Sequence, residues 1–235
     1  FSDRAAEAAG RIAGARELLA RAPGVHPVTR ALLDVERAHV ELHLRHPTEA
    51  LAAAETALAG LAETLGPESA ARASALQARA LARMQGGDFD GAQADLEAAI
   101  AVLRALDPDH PRLTSVRIDF ALVLEHRGRI ADGIALRREV LESSLRRAGA
   151  ESAEVRNQRA LLGAVLRTSK RYPEAEIELR EAIRLEQSSA ERAGEHAVSA
   201  AMIDLGNLLL ATGRPGEAVA LLRQRLERML ALGSS

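Results

Sequence analysis

LLGAVLRTSKRYPEAEIELREA, residues 161–182, is the stretch from which the rest of the chain can be read. Its first half is an apolar run with a small residue inside it, Leu162-Gly163, and Leu166 follows one turn later. Arg171-Tyr172-Pro173 interrupts that run, and Ala175, Leu179 and Ala182 then open a second run with helical spacing. The pattern predicts a helix, a tight turn and a second helix folded back on the first. Gly163 and Ala175 are small because the two backbones approach closely there. Tyr172 fills the wedge at the turn, and Pro173 takes a first-turn site where its missing N–H breaks no hydrogen bond.

The same arrangement recurs along the chain. The residue opening the second helix appears as Ala50, Ala92, Gly133, Ala175 and Ala218, at spacings of 42, 41, 42 and 43. A short polar link gives an independent count. Its central residue is His26, Ser69, His110, Ser152 and His196, at spacings of 43, 41, 42 and 44. Two anchors with one period define a repeat array. The repeats cover 25–66, 67–108, 109–150, 151–193 and 194–232, after a half repeat or cap over 1–24. They predict about eleven helices in a single solenoid domain.

On these residues the chain resembles tetratricopeptide (TPR) repeats, in the longer version of about 42 residues found in kinesin light chains and bacterial signalling proteins. The link DPDHP, residues 107–111, is similar to the link of that class. The resemblance implies an all-α, right-handed superhelical solenoid of antiparallel helix pairs, with first helices lining a concave face and second helices outside.

Composition agrees with helices packed through small side chains. Of 235 residues 47% are hydrophobic, only 2% are aromatic, and Trp is absent. A formal net charge of −2 supplies no global positive field for nucleic acid or an anionic membrane. No apolar run approaches the ~20 residues of a membrane span. With no cysteine there is no disulfide framework and no thiolate zinc site, as a cytoplasmic chain allows. Lys170 is the only lysine among 31 basic residues, a bias expected of a GC-rich bacterial genome.

The repeats vary in quality. Residues 3–22 read as the second helix of a repeat, with Ala8, Ile12 and Ala15 on its anchors, and the expectation is a piece of a longer protein. In the next repeat Ala38 is small, as required, but Glu41 replaces an apolar residue. Gly86-Gly87 ends one first helix and Phe89 plugs the turn after it. Gly133 and Arg137 depart from the pattern. Arg225 holds the place of Ala99 and Ala182, which predicts a polar face at the end of the array.

Catalytic signatures and cofactor motifs are not found. His39, His43 and His46 are weak metal candidates: His39 and His43 share a helix face, but Val40 follows His39, so the HExxH base is missing. His110 and His196, in the links, are expected to cap the following helices. Asp119 and Asp204 share one repeat position and read as solvated or groove-facing acids.

The resemblance places a partner-binding groove on the exposed stripe of each first helix. Its residues are His39, His43, Gln77 and Arg83, then Ser115, Leu122, Glu125 and His126. Asn157, Ala164, Arg167 and Thr168 follow, and finally Asp204, Asn207 and Leu210. Leu122 and Ala164 stand where the resemblance would put a carboxylate-clamp Asn, which argues against a chaperone-tail adaptor of that kind. The expected function is a non-catalytic module or scaffold that binds a protein or peptide, in a bacterial signalling protein such as a Ser/Thr kinase. The alternatives are a peptide-sensing regulatory receptor and, behind it, a metal-dependent hydrolase. A second copy could also pack on an exposed end repeat.

Overall fold

A computed structural model describes residues 26–65, 68–193 and 200–232, with Gly10, Gly14 and Glu17 as isolated helical residues. The side chains of residues 189–193, 225, 228, 229, 231 and 232 lie outside that description. The segment read as a half repeat and the link residue His196 also fall outside it.

Every element among the described residues is a helix. In order they are α1 (Pro27–His43), α2 (Pro47–Thr64), α3 (Ala70–Gln85), α4 (Phe89–Leu106) and α5 (Arg112–His126). Next come α6 (Ile130–Ala148), α7 (Ala153–Thr168), α8 (Tyr172–Ala193), α9 (Ala200–Ala211) and α10 (Pro215–Leu232). None of the described helices is long and apolar enough to cross a membrane. The chain divides into two compact units, Phe1–Arg129 holding α1 to α5 and Ile130–Ser235 holding α6 to α10. In the first unit each helix packs on the next, and the first helices α1, α3 and α5 also touch in sequence. In the second unit α6 to α10 pack successively, and α7 touches α9.

Local chemistry sets the boundaries. The central residue of each described link caps the helix that follows. Ser69 Oγ accepts from the Arg72 N–H at 3.2 Å, and Ser152 Oγ from the Val155 N–H at 3.2 Å. His26 Nδ1 accepts from Val28 at 3.3 Å, and His110 Nδ1 from Arg112 at 3.1 Å. The expected cap at His110 is therefore present. Each first helix ends with one left-handed residue: Arg45 (φ 66°), Gly87 (85°), Gly128 (77°), Lys170 (60°) and Gly213 (73°). Glycine has no steric cost there, whereas Arg45 and Lys170 carry a Cβ into that conformation.

The cores of the two units differ. The first is built largely from alanine: Ala38, Ala50, Ala53, Ala54, Ala57, Ala73 and Ala78 are all fully buried. A Cβ on Gly60 of α2 would lie 3.1 Å from Ala31 Cβ of α1, so these backbones are nearly as close as side chains allow. The second is built from larger groups, with Leu162, Leu166, Leu179, Leu185, Met202, Leu205 and Leu209 in one cluster. A buried leucine contributes roughly 1.5–3 kcal/mol, and an alanine less, by its smaller area. The fourth repeat holds the expected close contact. A Cβ on Gly163 would stand 2.6 Å from Leu179 Cγ.

Registering the repeats on the small residue of the first helix shows where the first two full repeats carry charge in place of leucine. Leu162 and Leu166 flank Gly163, and Leu205 and Leu209 flank Gly206; all four leucines are buried. The same places in the second full repeat hold Arg79 and Arg83. Asp95 of α4, buried, answers both: Arg79 reaches it at 2.9 and 2.5 Å, and Arg83 at 2.7 Å. In the first full repeat the places belong to Arg37 and Glu41, which approach each other to 3.9 Å.

The end of the array is described only in part. Arg225, on which a polar end face was predicted, has a side chain outside the described residues. Among its described side chains α10 exposes Val219, Leu222, Leu226 and Leu230 together with Arg223, Gln224 and Glu227.

Candidate functional site

The exposed stripes of the first helices carry the candidate residues, and they differ in kind between the units. In the first unit the polar groups are committed to one another. His39 of α1 lies 3.2 Å from Ser74 Oγ of α3, and burial lowers its pKa. Glu36 opposes that shift, and Arg112 and His43 reinforce it. His43 Nδ1 donates to the His39 carbonyl at 2.7 Å, and His46 Nδ1 donates to Glu41 at 3.0 Å. The histidine trio thus faces three different partners. Among the described residues no group of three His, Cys, Asp or Glu could hold a metal ion.

Two expected groove residues of α3 occupy other places. Gln77 is buried at 6% exposure; its amide donates to Asp119 of α5 at 2.7 Å, and its oxygen accepts from Arg112 at 3.4 Å. Arg83 turns toward α4 and Asp95, because it stands at the core-facing leucine place of the later repeats. On α5, the exposed Ser115 donates to the Arg112 carbonyl at 2.9 Å, and Leu122 and Glu125 are half-buried. His126 stacks on Phe89 with ring centroids 4.8 Å apart, so it sits over the start of α4.

In the second unit the stripe remains available. Along α7 it comprises Asn157, Leu161, Ala164 and Thr168, and along α9 Ile203, Asn207 and Leu210. These follow the i, i+4, i+7 spacing of one helix face. Leu161, Ile203 and Leu210 are 42%, 53% and 57% exposed. Asn157 and Asn207 are exposed, each with a donor and an acceptor. Thr168 donates to the Val165 carbonyl at 2.9 Å. Arg167 and Asp204, both expected in the groove, bind each other across α7 and α9 at 3.0 and 2.8 Å. That bridge fixes the spacing of the two helices and neutralises the arginine.

Leu161 and Ile203 escaped the sequence reading. The available signal was an apolar residue at a solvent-facing helical position, visible once the register of the buried leucines is set. Elsewhere in this unit a 420 Å³ cavity lies among α8, α9 and α10, lined by Arg180, Leu205, Leu209, Glu217, Ala220, Leu221 and Gln224.

The comparisons agree with this architecture. The tetratricopeptide repeat family model matches residues 159–231. The BtubC (BKLC) crystal structure from P. vanneervenii superposes with a TM-score of 0.76 at 17% identity, over 100% of this chain and 93% of that one. The nearly identical TPR-like repeats of a Podosopora anserina putative kinesin light chain give 0.73 at 20% identity, over 89% and 99%. A Rap conjugation gene regulator of plasmid pLS20, solved in complex with the Phr* peptide, gives 0.61 at 16% identity, over 86% and 53%. A comparison with curated sequences finds no match. The chain carries tetratricopeptide repeats, and its fold is the all-α TPR solenoid of kinesin-light-chain-like type.

Proposed function

We propose that this chain is a non-catalytic interaction module that binds a segment of a partner protein or peptide along the α7 and α9 stripes. The observation that carries the reading is the pairing of exposed amides, Asn157 and Asn207, with exposed apolar side chains, Leu161, Ile203 and Leu210. Amides can hold a peptide backbone, and the apolar groups gain by covering a side chain of the bound segment. Recognition by binding fits the first unit too, where polar side chains pair locally instead of converging on one point. That a structurally similar Rap regulator was solved in complex with the Phr* peptide supports the reading. Within this proposal the module works in the cytoplasm as part of a bacterial signalling protein, with a Ser/Thr kinase the first parent to test.

The test is affinity capture with the chain as bait, in parallel with Asn157→Ala/Asn207→Ala and Leu161→Glu/Ile203→Glu. The expected result is a partner held by the original chain and lost from both variants, with helical content unchanged. A captured partner that both folded variants retain equally would refute the assignment of the stripe.

A further inference from the structure

The cavity enclosed by α8, α9 and α10 is separate from the stripe proposed above, and it is built like a small-molecule site. Leu205 and Leu209 of α9, each 1% exposed, form its floor, and Ala220 and Leu221 of α10 form an apolar wall. Its rim is polar: Arg180 of α8 with Glu217 and Gln224 of α10, all three exposed. The volume of 420 Å³ falls within the roughly 300–1,000 Å³ of ligand pockets. Packing explains the space. A Cβ on Gly163 of α7 would meet Leu179 of α8, whereas one on Gly206 of α9 meets nothing within 4 Å, so α10 stands farther from α9 than α8 does from α7. Ala220 also takes the repeat position that the larger Ile177 holds in α8.

A ring of ion pairs fixes the rim. Arg180 reaches Glu176 at 2.7 Å and Glu217 at 3.5 Å, and Arg214 reaches the same two carboxylates at 2.7 and 2.6 Å. The ring ties α8 to the first turn of α10. Hydrogen bonds from Arg214 hold both carboxyl groups below the usual carboxylate range, so two guanidinium and two carboxylate charges cancel at neutral pH. Gln224 has no hydrogen-bond partner among the described residues, which leaves a donor and an acceptor at the mouth.

We propose that this cavity binds a small uncharged amphipathic molecule, its apolar body on the leucine floor and its hydrogen-bonding head, an amide or a hydroxyl, on Gln224. Charge selects that class. A carboxylate head would face Glu217 and a cationic head would face Arg180, each giving up water for a rim whose charges are already paired.

Three probes of one shape test this on the whole chain: para-butylbenzamide, para-butylbenzoate and the para-butylbenzamidine cation, followed by saturation-transfer NMR and calorimetry. The amide is expected to bind with a Kd on the order of 1 mM or tighter, and each charged probe at least severalfold more weakly. Ala220→Trp, which fills the wall, should abolish binding of the amide. Gln224→Leu, at an exposed position, should weaken it severalfold, and Asn207→Ala on the stripe should leave it unchanged. No binding of the amide at millimolar concentration, equal binding of the three probes, or full binding by a folded Ala220→Trp chain would each overturn the proposal. If Ala220→Trp loses helical content, Gln224→Leu decides, and undiminished binding there also overturns it.

Discussion

The same substitution at two equivalent glycines should move stability in opposite directions. Gly163 and Gly206 hold one repeat position in α7 and α9, and both are buried in the middle of a helix. A glycine there costs about 0.5–1 kcal/mol relative to alanine through backbone freedom alone. At Gly206 the new methyl meets nothing within 4 Å. Gly206→Ala should therefore stabilise by about 0.5–1 kcal/mol, raising Tm by about 1–4 °C. At Gly163 the methyl would stand 2.6 Å from Leu179 Cγ and 3.3 Å from the Leu179 backbone nitrogen. Relief requires a movement of about 1 Å by a fully buried leucine or by the helix that carries it, and overpacking of this kind costs about 1–3 kcal/mol. Net of the helical gain, Gly163→Ala should destabilise by roughly 1–2 kcal/mol and lower Tm by about 2–8 °C. Leu179→Ala alone should cost about 2–5 kcal/mol, but in Gly163→Ala/Leu179→Ala the new methyl enters vacated space, so the pair should cost less than the sum. Urea and thermal unfolding of the four variants decide the matter. Shifts of the same sign at both glycines, or strict additivity of the Gly163 and Leu179 changes, would refute the close contact.

Two further outcomes are expected. Asp95→Ala should cost roughly 2–4 kcal/mol, somewhat less than a fully buried ion pair, because Arg79 and Arg83 keep 24% side-chain exposure. Arg79→Leu/Arg83→Leu/Asp95→Leu, which places leucine where the fifth repeat has Leu205, Leu209 and Leu221, should be at least as stable as the original chain; urea midpoints check both. Burial lowers the His39 pKa below its ordinary 6.5, so between those two values the unfolded chain binds more protons than the folded one. The His39 contribution therefore falls as pH drops through 6.5 toward the folded value and is retained above it. Thermal melts between pH 8 and pH 5 should show a smaller decline for His39→Gln than for the original chain, and identical slopes would show that His39 does not report this burial.

Much of the architecture could be read from the chain because it rests on residues with one physical role each. Gly163 is small since Leu179 leaves no room for a Cβ, and Ser69 and Ser152 sit where exposed N–H groups need an acceptor. Such requirements recur with the repeat and become visible as a period. The candidate face was less legible. Arg83 was expected on it, but one step of helical register separates an exposed place from the leucine place, and the charge concealed that register until Asp95 appeared opposite. Gln77 with Asp119 and Arg167 with Asp204 bond at separations of 42 and 37 residues, and no local pattern in a single chain marks such pairs. Apolar residues at solvent positions, Leu161 and Ile203, resemble core residues in a count of periodicity.

The contrast between the first helices also bears on function. A polar row that satisfies itself, as His39–Ser74 and Gln77–Asp119 do, gains little from a ligand, because each existing hydrogen bond must be replaced as it is broken. A row of exposed amides and apolar side chains exchanges only water for the ligand's groups and removes apolar surface from water. In a solenoid each repeat answers mainly to its neighbours, so one repeat can exchange its leucines for an Arg79–Arg83–Asp95 network while another keeps them. Where Leu162, Leu166, Leu205 and Leu209 fill the interior, stability does not draw on the outward residues of α7 and α9. Those outward residues are thereby free to be chosen for a partner, which is why the binding assignment rests on them.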